Sequence, residues 1–191
     1  TCALPICTID AVNEFIETTG VPLFIVVGNS SDSDSRIWPE SILLDEVRQL
    51  QFPVLAVPEG YKWANPGQLC FACDSNHSYS AKEIARIKDA AKTVNGTLYA
   101  INIQTEEKNA QDLESISKSI GAEVGVGLDK VHVITGSKNI DNSILDAIKK
   151  FNVEWLIMVP GKHSFFEGLF HKSHTSKILH SCPIPILAIH D

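Results

Sequence analysis

Apolar residues in this chain gather into short continuous runs, separated by longer stretches in which they recur at every third or fourth position. Runs of that kind predict strands buried on both faces, and the wider spacing predicts amphipathic helices. From Gln68 onward the two alternate. Gln68–Cys73 reads as a strand closing at Asp74. Ser80-Ala-Lys-Glu83 has the spacing of a capping box, in which a serine hydroxyl and a glutamate carboxylate each accept from a backbone N–H at the helix start. Ile84, Ile87, Ala91 and Val94 follow on one face, and Gly96 reads as the left-handed residue that ends the helix. Thr97–Ile103 is the next strand. A polar helix from near Glu106 carries Leu113, Ile116 and Ile120 inward and closes at Gly121. Lys130–Ile134 alternates as a strand, and Asn139–Phe151 is a helix with Ile140, Ile144, Leu145 and Ile148 inward. Trp155–Val159 is a strand, His174–Ser181 a short helix and Pro185–Ile189 the last strand. This βαβαβαβαβ order predicts an α/β fold: a five-stranded parallel doubly wound sheet of Rossmann-like type, with ligands at the carboxyl ends of its strands.

The preceding residues repeat the second half of that unit: helix Thr8–Thr19, strand Val21–Val27, helix Pro39–Leu50 and strand Pro53–Val57. Val21–Val27 overlies Val153–Val159 and Pro53–Val57 overlies Pro185–Ile189 at a constant shift of 132 residues, without a gap, and Ser41 falls on Ser173. A period of that length is the size of a domain. It divides the chain into residues 1–60, the C-terminal half of a first domain, and residues 61–191, a complete second domain with a partial copy of its fold before it. The chain opens on Thr1 and its single methionine is Met158, which gives the expectation of a processed or longer protein.

Charge and composition narrow the function classes. Sixteen Lys and Arg against 23 Asp and Glu leave the 191 residues at −7. An acidic surface repels phosphate backbones, so nucleic acid is not an expected partner. The longest apolar runs, near Leu23–Val27 and Leu156–Val159, fall far short of the roughly 18 residues of a membrane-spanning helix, so no membrane association is expected. Five scattered cysteines and no basic-then-apolar leader make a cytoplasmic location with free thiols the expectation. Cys70-Phe-Ala-Cys73 has redox spacing, but a strand sends positions i and i+3 to opposite faces, so the pair reads as packing.

The residues at the strand ends resemble the universal stress protein family. An aspartate closes the first strand of the complete unit at Cys73-Asp74-Ser75, and Ile178-Leu-His-Ser-Cys-Pro-Ile-Pro-Ile-Leu-Ala-Ile189 is similar to the family's closing helix and strand. The resemblance covers roughly residues 64–191 and the repeat extends it to 8–60, so the chain resembles a tandem member; Phe165-Phe166-Glu167 is similar to a bacterial subgroup. The resemblance implies an adenine-nucleotide alpha-hydrolase-like fold and a part in the stress response. Members that bind ATP carry Gly-x2-Gly-x9-Gly-Ser/Thr after the fourth strand, where glycines let the backbone approach phosphates at a helix N-terminus. This sequence lacks the full motif: Ser164 stands three positions after Gly161, Lys172 precedes Ser173, and in the earlier copy Glu40 precedes Ser41.

By the same resemblance Asp74 takes the place of the family's adenine-contacting aspartate, with Ser75 beside it and Ile103 lining the same cleft. The alternatives are a strand-end cap for Asp74 and a core position for Ile103. Gly161, Lys162, His163, Lys172 and Ser173 offer two ammonium groups, an imidazole and a hydroxyl near a helix start, a candidate anion site whose alternative is an ordinary charged surface loop. His171 and His174 are the metal candidates, although they straddle a loop–helix junction. There is no Gly-x-Ser-x-Gly elbow and no Walker loop, and no enzyme is expected. The expected function is a non-catalytic binding or regulatory module acting through dimerisation or protein contacts, with no required cofactor. The alternatives are an ATP- or AMP-binding switch using the second-domain cleft and a weak nucleotide hydrolase. The last strands of the two copies, 53–57 and 185–189, are expected to pair within the chain or across a homodimer, because an apolar sheet edge needs covering.

Overall fold

The computed structural model of the chain describes residues 24–28, 52–58, 60–74, 77–136, 139–159 and 182–189, with Glu14, Phe15 and Thr18 of a helical segment. The predicted helices Pro39–Leu50 and His174–Ser181 lie outside the described residues, as does most of Thr8–Thr19.

Seven strands form one sheet: β1 (Ile25–Gly28), β2 (Val54–Val57), β3 (Gln68–Cys73), β4 (Thr97–Ile103), β5 (Val131–Ile134), β6 (Trp155–Met158) and β7 (Ile186–Ala188), in the order β1-β2-β7-β6-β3-β4-β5. Strands β3 to β7 make the expected five-stranded parallel sheet. β1 and β2 are parallel to each other and join it through an antiparallel pairing of β2 with β7. One register row crosses the whole sheet: Val26, Leu55, Leu187, Ile157, Phe71, Ala100 and Val131.

Both faces of the five-stranded part are covered, which is why its strands are apolar without alternation. On one face α1 (Ala81–Thr93) and α2 (Ala110–Val124) set Ile87, Ala90, Ala91, Val94, Ile120 and Val124 against Leu69, Phe71, Leu98, Ala100, Trp155 and Ile157. On the other, α3 (Ile140–Lys150) sets Ile144, Ala147 and Ile148 against Cys70, Ala72, Ile101, Leu156 and Met158. The winding therefore changes face between β5 and β6, and the strand order reverses between β3 and β6.

Local chemistry fixes the helix ends. The Ser80–Glu83 capping box is formed, with the Glu83 N–H donating to the Ser80 hydroxyl at 3.1 Å and the Ser80 N–H to the Glu83 carboxylate at 2.7 Å. Asn109 and Asn139 cap α2 and α3 with their side-chain oxygens. Two predicted stops moved. The left-handed residues are Asn95 (φ 53°) and Gly125 (φ 75°), not Gly96 and Gly121. Those two glycines serve close approach instead. A Cβ on Gly96 would run into Leu69 and lie 2.9 Å from the Pro66 carbonyl oxygen, and one on Gly121 would lie 3.1 Å from that of Val126. α2 also starts at Ala110 rather than near Glu106, where Asn109 supplies the cap.

The seam between the halves corrects the repeat by one residue. Leu55 stands opposite Leu187, and their parallel partners are Val26 and Ile157. Leu55 and Leu187 are 132 residues apart, whereas Val26 and Ile157 are 131 apart, so the two copies are offset at the β1 end.

At the outer strand β5, the His132 ring stacks on Phe151 with centroids 4.0 Å apart and on Tyr99 at 6.1 Å. Burial, and then the nearby Lys150 ammonium, hold the imidazole below its ordinary 6.5. The folded pKa is the depressed one, so as pH falls below about 6.5 the unfolded chain takes the proton first and stability is lost. Urea titrations from pH 7.5 to 5 should show the midpoint falling more steeply for the native chain than for His132→Phe, which keeps the stack and removes the proton site. Parallel curves for the two proteins would contradict this.

Candidate functional site

In an open parallel sheet the ligand crevice lies outside the carboxyl ends of the two strands between which the order reverses. Here those are β3, ending at Cys73, and β6, ending at Met158. Beyond β3 the described chain continues to Asp74, and beyond β6 it continues to Val159, after which residues 160–181 lie outside the described residues.

Asp74 stands at the β3 side, buried at 5% exposure. Its backbone is held on both sides: the N–H donates to the Tyr79 hydroxyl at 2.7 Å, and the carbonyl accepts from the His77 N–H at 3.2 Å. Tyr79 is itself wedged edge-on against Phe71 at 5.0 Å and His77 at 4.7 Å, and its N–H donates to the Glu123 carboxylate of α2 at 3.2 Å. Burial drives the Tyr79 phenol far above its ordinary pKa, so it stays a neutral hydroxyl, able to accept from Asp74.

Behind Asp74 the strand ends are tied together. The fully buried Asn102 amide donates to the Cys73 carbonyl at 2.9 Å and accepts from Gln104, whose N–H in turn donates to the Ile134 carbonyl at 2.7 Å. The Cys73 thiol donates to the Ile101 carbonyl at 3.1 Å. At the opposite end of the sheet, the Glu154 carboxylate just before β6 accepts from the backbone N–H groups of Gly67 and Gln68, the latter at 2.9 Å. The two strands that flank the crevice are thus clamped at the bottom as well as hydrogen-bonded along their length.

Of the predicted site residues, Asp74 and Ile103 fall within the described residues. Each stands one position past the Cys73–Asn102 register pair of two neighbouring strands, Asp74 directly after β3 and Ile103 at the end of β4. Ile103 is buried in the apolar cluster beneath α3, with Ile101 and Ile144. Ser75, Gly161, Lys162, His163, Lys172 and Ser173 lie outside the described residues, and so do the metal candidates His171 and His174. Among the described residues no group of three or more His, Cys, Asp or Glu is placed to hold a metal ion, and no helix is long and apolar enough to cross a membrane. Sequence reasoning missed Tyr79, Asn102, Gln104 and Glu154. Two of these carry a signal: Asn102 is a lone amide inside an apolar strand, and Tyr79 precedes the cap Ser80 and, with Ile84 four positions after that cap, packs on the same core in the manner of a hydrophobic staple.

Cys70 and Cys73 point to opposite faces and lie in different clusters, so the redox spacing is packing. Burial pushes the thiols up, Cys70 to about 12, Cys182 to about 11 and Cys73 higher still. Thiolate is the reacting species. Alkylation at pH 8 should therefore spare these three cysteines in the native protein and label all three in urea. Labelling of Cys70 within minutes under native conditions would contradict the burial.

The sequence profile of the universal stress protein family matches residues 70–190. The chain belongs to the universal stress protein family. Solved structures agree on the fold. A universal stress protein from Archaeoglobus fulgidus DSM 4304 superposes with a TM-score of 0.59 at 17% identity over 95% of this chain. This chain spans 64% of that protein's length, less than two thirds of it. A candidate universal stress protein from Pseudomonas aeruginosa UCBPP-PA14 superposes with a TM-score of 0.60 at 12% identity, over all of this chain and 80% of that one. A universal stress protein solved in complex with cAMP aligns over 65% of this chain and 98% of its own, with a TM-score of 0.48 and 11% identity. No curated protein sequence matches significantly.

Proposed function

We propose that this chain is a binding and regulatory module of the stress response that works through strand-mediated contacts rather than turnover. The observation that carries this is the β2–β7 seam, where Leu55 and Leu187 face each other, both essentially inaccessible to solvent. An apolar edge strand is a liability until it is paired, and here the last strand of each repeat covers the other. The reading that follows is a tandem one: residues 1–60 are the carboxyl half of a first unit, residues 61–191 a complete second unit, and the seam is the contact between units. The same strand chemistry suits a homodimer or a protein partner. The polar side chains described around the crevice support a role other than chemistry, because Asn102 and Tyr79 are engaged in holding strand ends and Asp74 in place. Incubation with ATP and magnesium should yield no product above that of Asp74→Ala. Turnover proportional to native protein and lost in the variant would overturn the proposal.

One observation favours a second reading, a nucleotide-binding switch. Asp74 is a buried carboxylate at the topological switch point, with a backbone fixed from two sides. There it could accept from a nucleobase amine, with Lys162, Lys172 and Ser173 the partners for phosphates. In that reading ATP or AMP is the ligand, and Asp74→Ala abolishes its binding.

A further inference from the structure

β5 closes the sheet on the side away from β1, and among the described residues it pairs with β4 alone. In the tandem reading the rest of the first unit belongs beside β1, at the opposite end of the sheet. Of the undescribed residues only 137 and 138 adjoin β5 in sequence; 29–51 run between β1 and β2, and 160–181 between β6 and β7. The strand itself, Val131-His-Val-Ile134, holds no carboxylate or ammonium group, and its last three residues are only half-buried. Leu128, just ahead of it, is 53% exposed. Edge strands usually resist pairing by carrying charge along their length. Here the charges stand only at the two ends.

The geometry of that edge narrows what can pair with it. The Ile134 carbonyl turns inward, accepting from the Gln104 N–H at 2.7 Å. The N–H and C=O of one residue leave a strand on the same side, and successive residues alternate, so those of Val131 and Val133 turn outward. Side chains divide by face: Val131 and Val133 pack with the cluster beneath α1 and α2, while Ile134, and His132 through its stack on Phe151, belong to the α3 side. Lys130 stands at the start of the strand. At its end is the Glu107 carboxylate, which accepts from the Thr135 hydroxyl at 3.2 Å and crowds Gly136. The Asp129 carboxylate lies back against Gly127. A strand that is positive at one end and negative at the other complements an antiparallel copy of itself.

We propose that the outer edge of β5 is a self-pairing surface whose occupant is β5 of a second copy, antiparallel, with the two-fold axis at Val133. Pairing about that residue sets outward-turned backbone against outward-turned backbone and keeps like faces together. Val133 meets its own counterpart, Val131 lies across from Thr135, His132 from Ile134, and Lys130 reaches Gly136 and Glu107. Such a contact is isologous and closes at two chains. The inference rests on the contact role proposed above and names one partner for it; turnover and nucleotide binding do not enter.

The test is a register-specific cross-link in the full chain. Opposing Cα atoms of a hydrogen-bonded antiparallel pair are about 5.5 Å apart, within disulfide reach. Mild oxidation with diamide should therefore link Val133→Cys into dimers well above the background set by the unaltered chain. Thr135→Cys alone should stay at that background, and Val131→Cys combined with Thr135→Cys should link. Sedimentation supplies a readout that leaves the half-buried strand intact. Lys130→Glu should weaken a concentration-dependent dimer about tenfold, because the two-fold axis places the like charges together twice. Adding Glu107→Lys to Lys130→Glu should restore it, with unfolding midpoints unchanged throughout. A monomer at every concentration, or a dimer in which Val133→Cys links no better than Thr135→Cys, overturns the proposal. So does a dimer indifferent to both charge changes. Each of these failures leaves the contact role standing, since the incubation with ATP and magnesium tests that separately.

Discussion

Trp155→Ala should cost about 3–5 kcal/mol of folding stability, as for other large buried aromatics cut to alanine. Trp155 is completely buried where β6 begins and sits beneath two rings, Phe24 from just ahead of β1 and Trp63 from the segment between β2 and β3, with centroids at 5.7 and 5.6 Å. It thus pins the first half of the chain to the second. Its indole N–H finds no acceptor among the described residues. Trp155→Phe should therefore cost much less than Trp155→Ala, because no hydrogen bond is forfeited and most of the ring contact is kept. Chemical denaturation of the three proteins provides the comparison. Equal losses for both variants would mean that ring packing is not what holds the residue.

The second large effect lies at the seam. Leu55→Ala and Leu187→Ala should each cost about 2–5 kcal/mol, since both side chains are buried in the same cluster. They are direct cross-strand partners, so the losses should not add. The double variant should depart from the sum by about 0.5–3 kcal/mol. Additive losses would place the two residues in independent environments and contradict the antiparallel joint.

Much of this fold was legible because a strand covered on both faces has no choice but to be apolar throughout. Gln68–Cys73 and Thr97–Ile103 end where the sequence put them. The same property hid the one-residue offset between the copies. Where neither face is polar, alternation gives no mark of register, and Val21–Val27 could slide by one against its repeat without altering the pattern. Gly96 reads as a left-handed stop and Gly121 as a helix end because glycine is common at both, but the need at these positions is room beside Leu69 and beside the Val126 carbonyl. In the candidate site, Asp74 was readable from its position at a strand end. Asn102 and Glu154 were not, because their partners Cys73 and Gly67 lie 29 and 87 residues away in sequence. A lone asparagine inside an apolar strand was still a signal: such a group is kept only where its hydrogen bonds are met.

The measurement that bears most directly on a contact module rather than a ligand switch is the thermal unfolding midpoint with and without millimolar ATP, AMP and magnesium, alongside native mass spectrometry of the untreated protein. A ligand that binds only the native state stabilises it by about 2.7 kcal/mol at a hundredfold excess over Kd, which would raise the midpoint by several degrees. The account predicts an unshifted midpoint and no passenger mass. A rise of several degrees, or a co-purified nucleotide, in either case lost in Asp74→Ala, would contradict it and make the crevice beside β3 the working site.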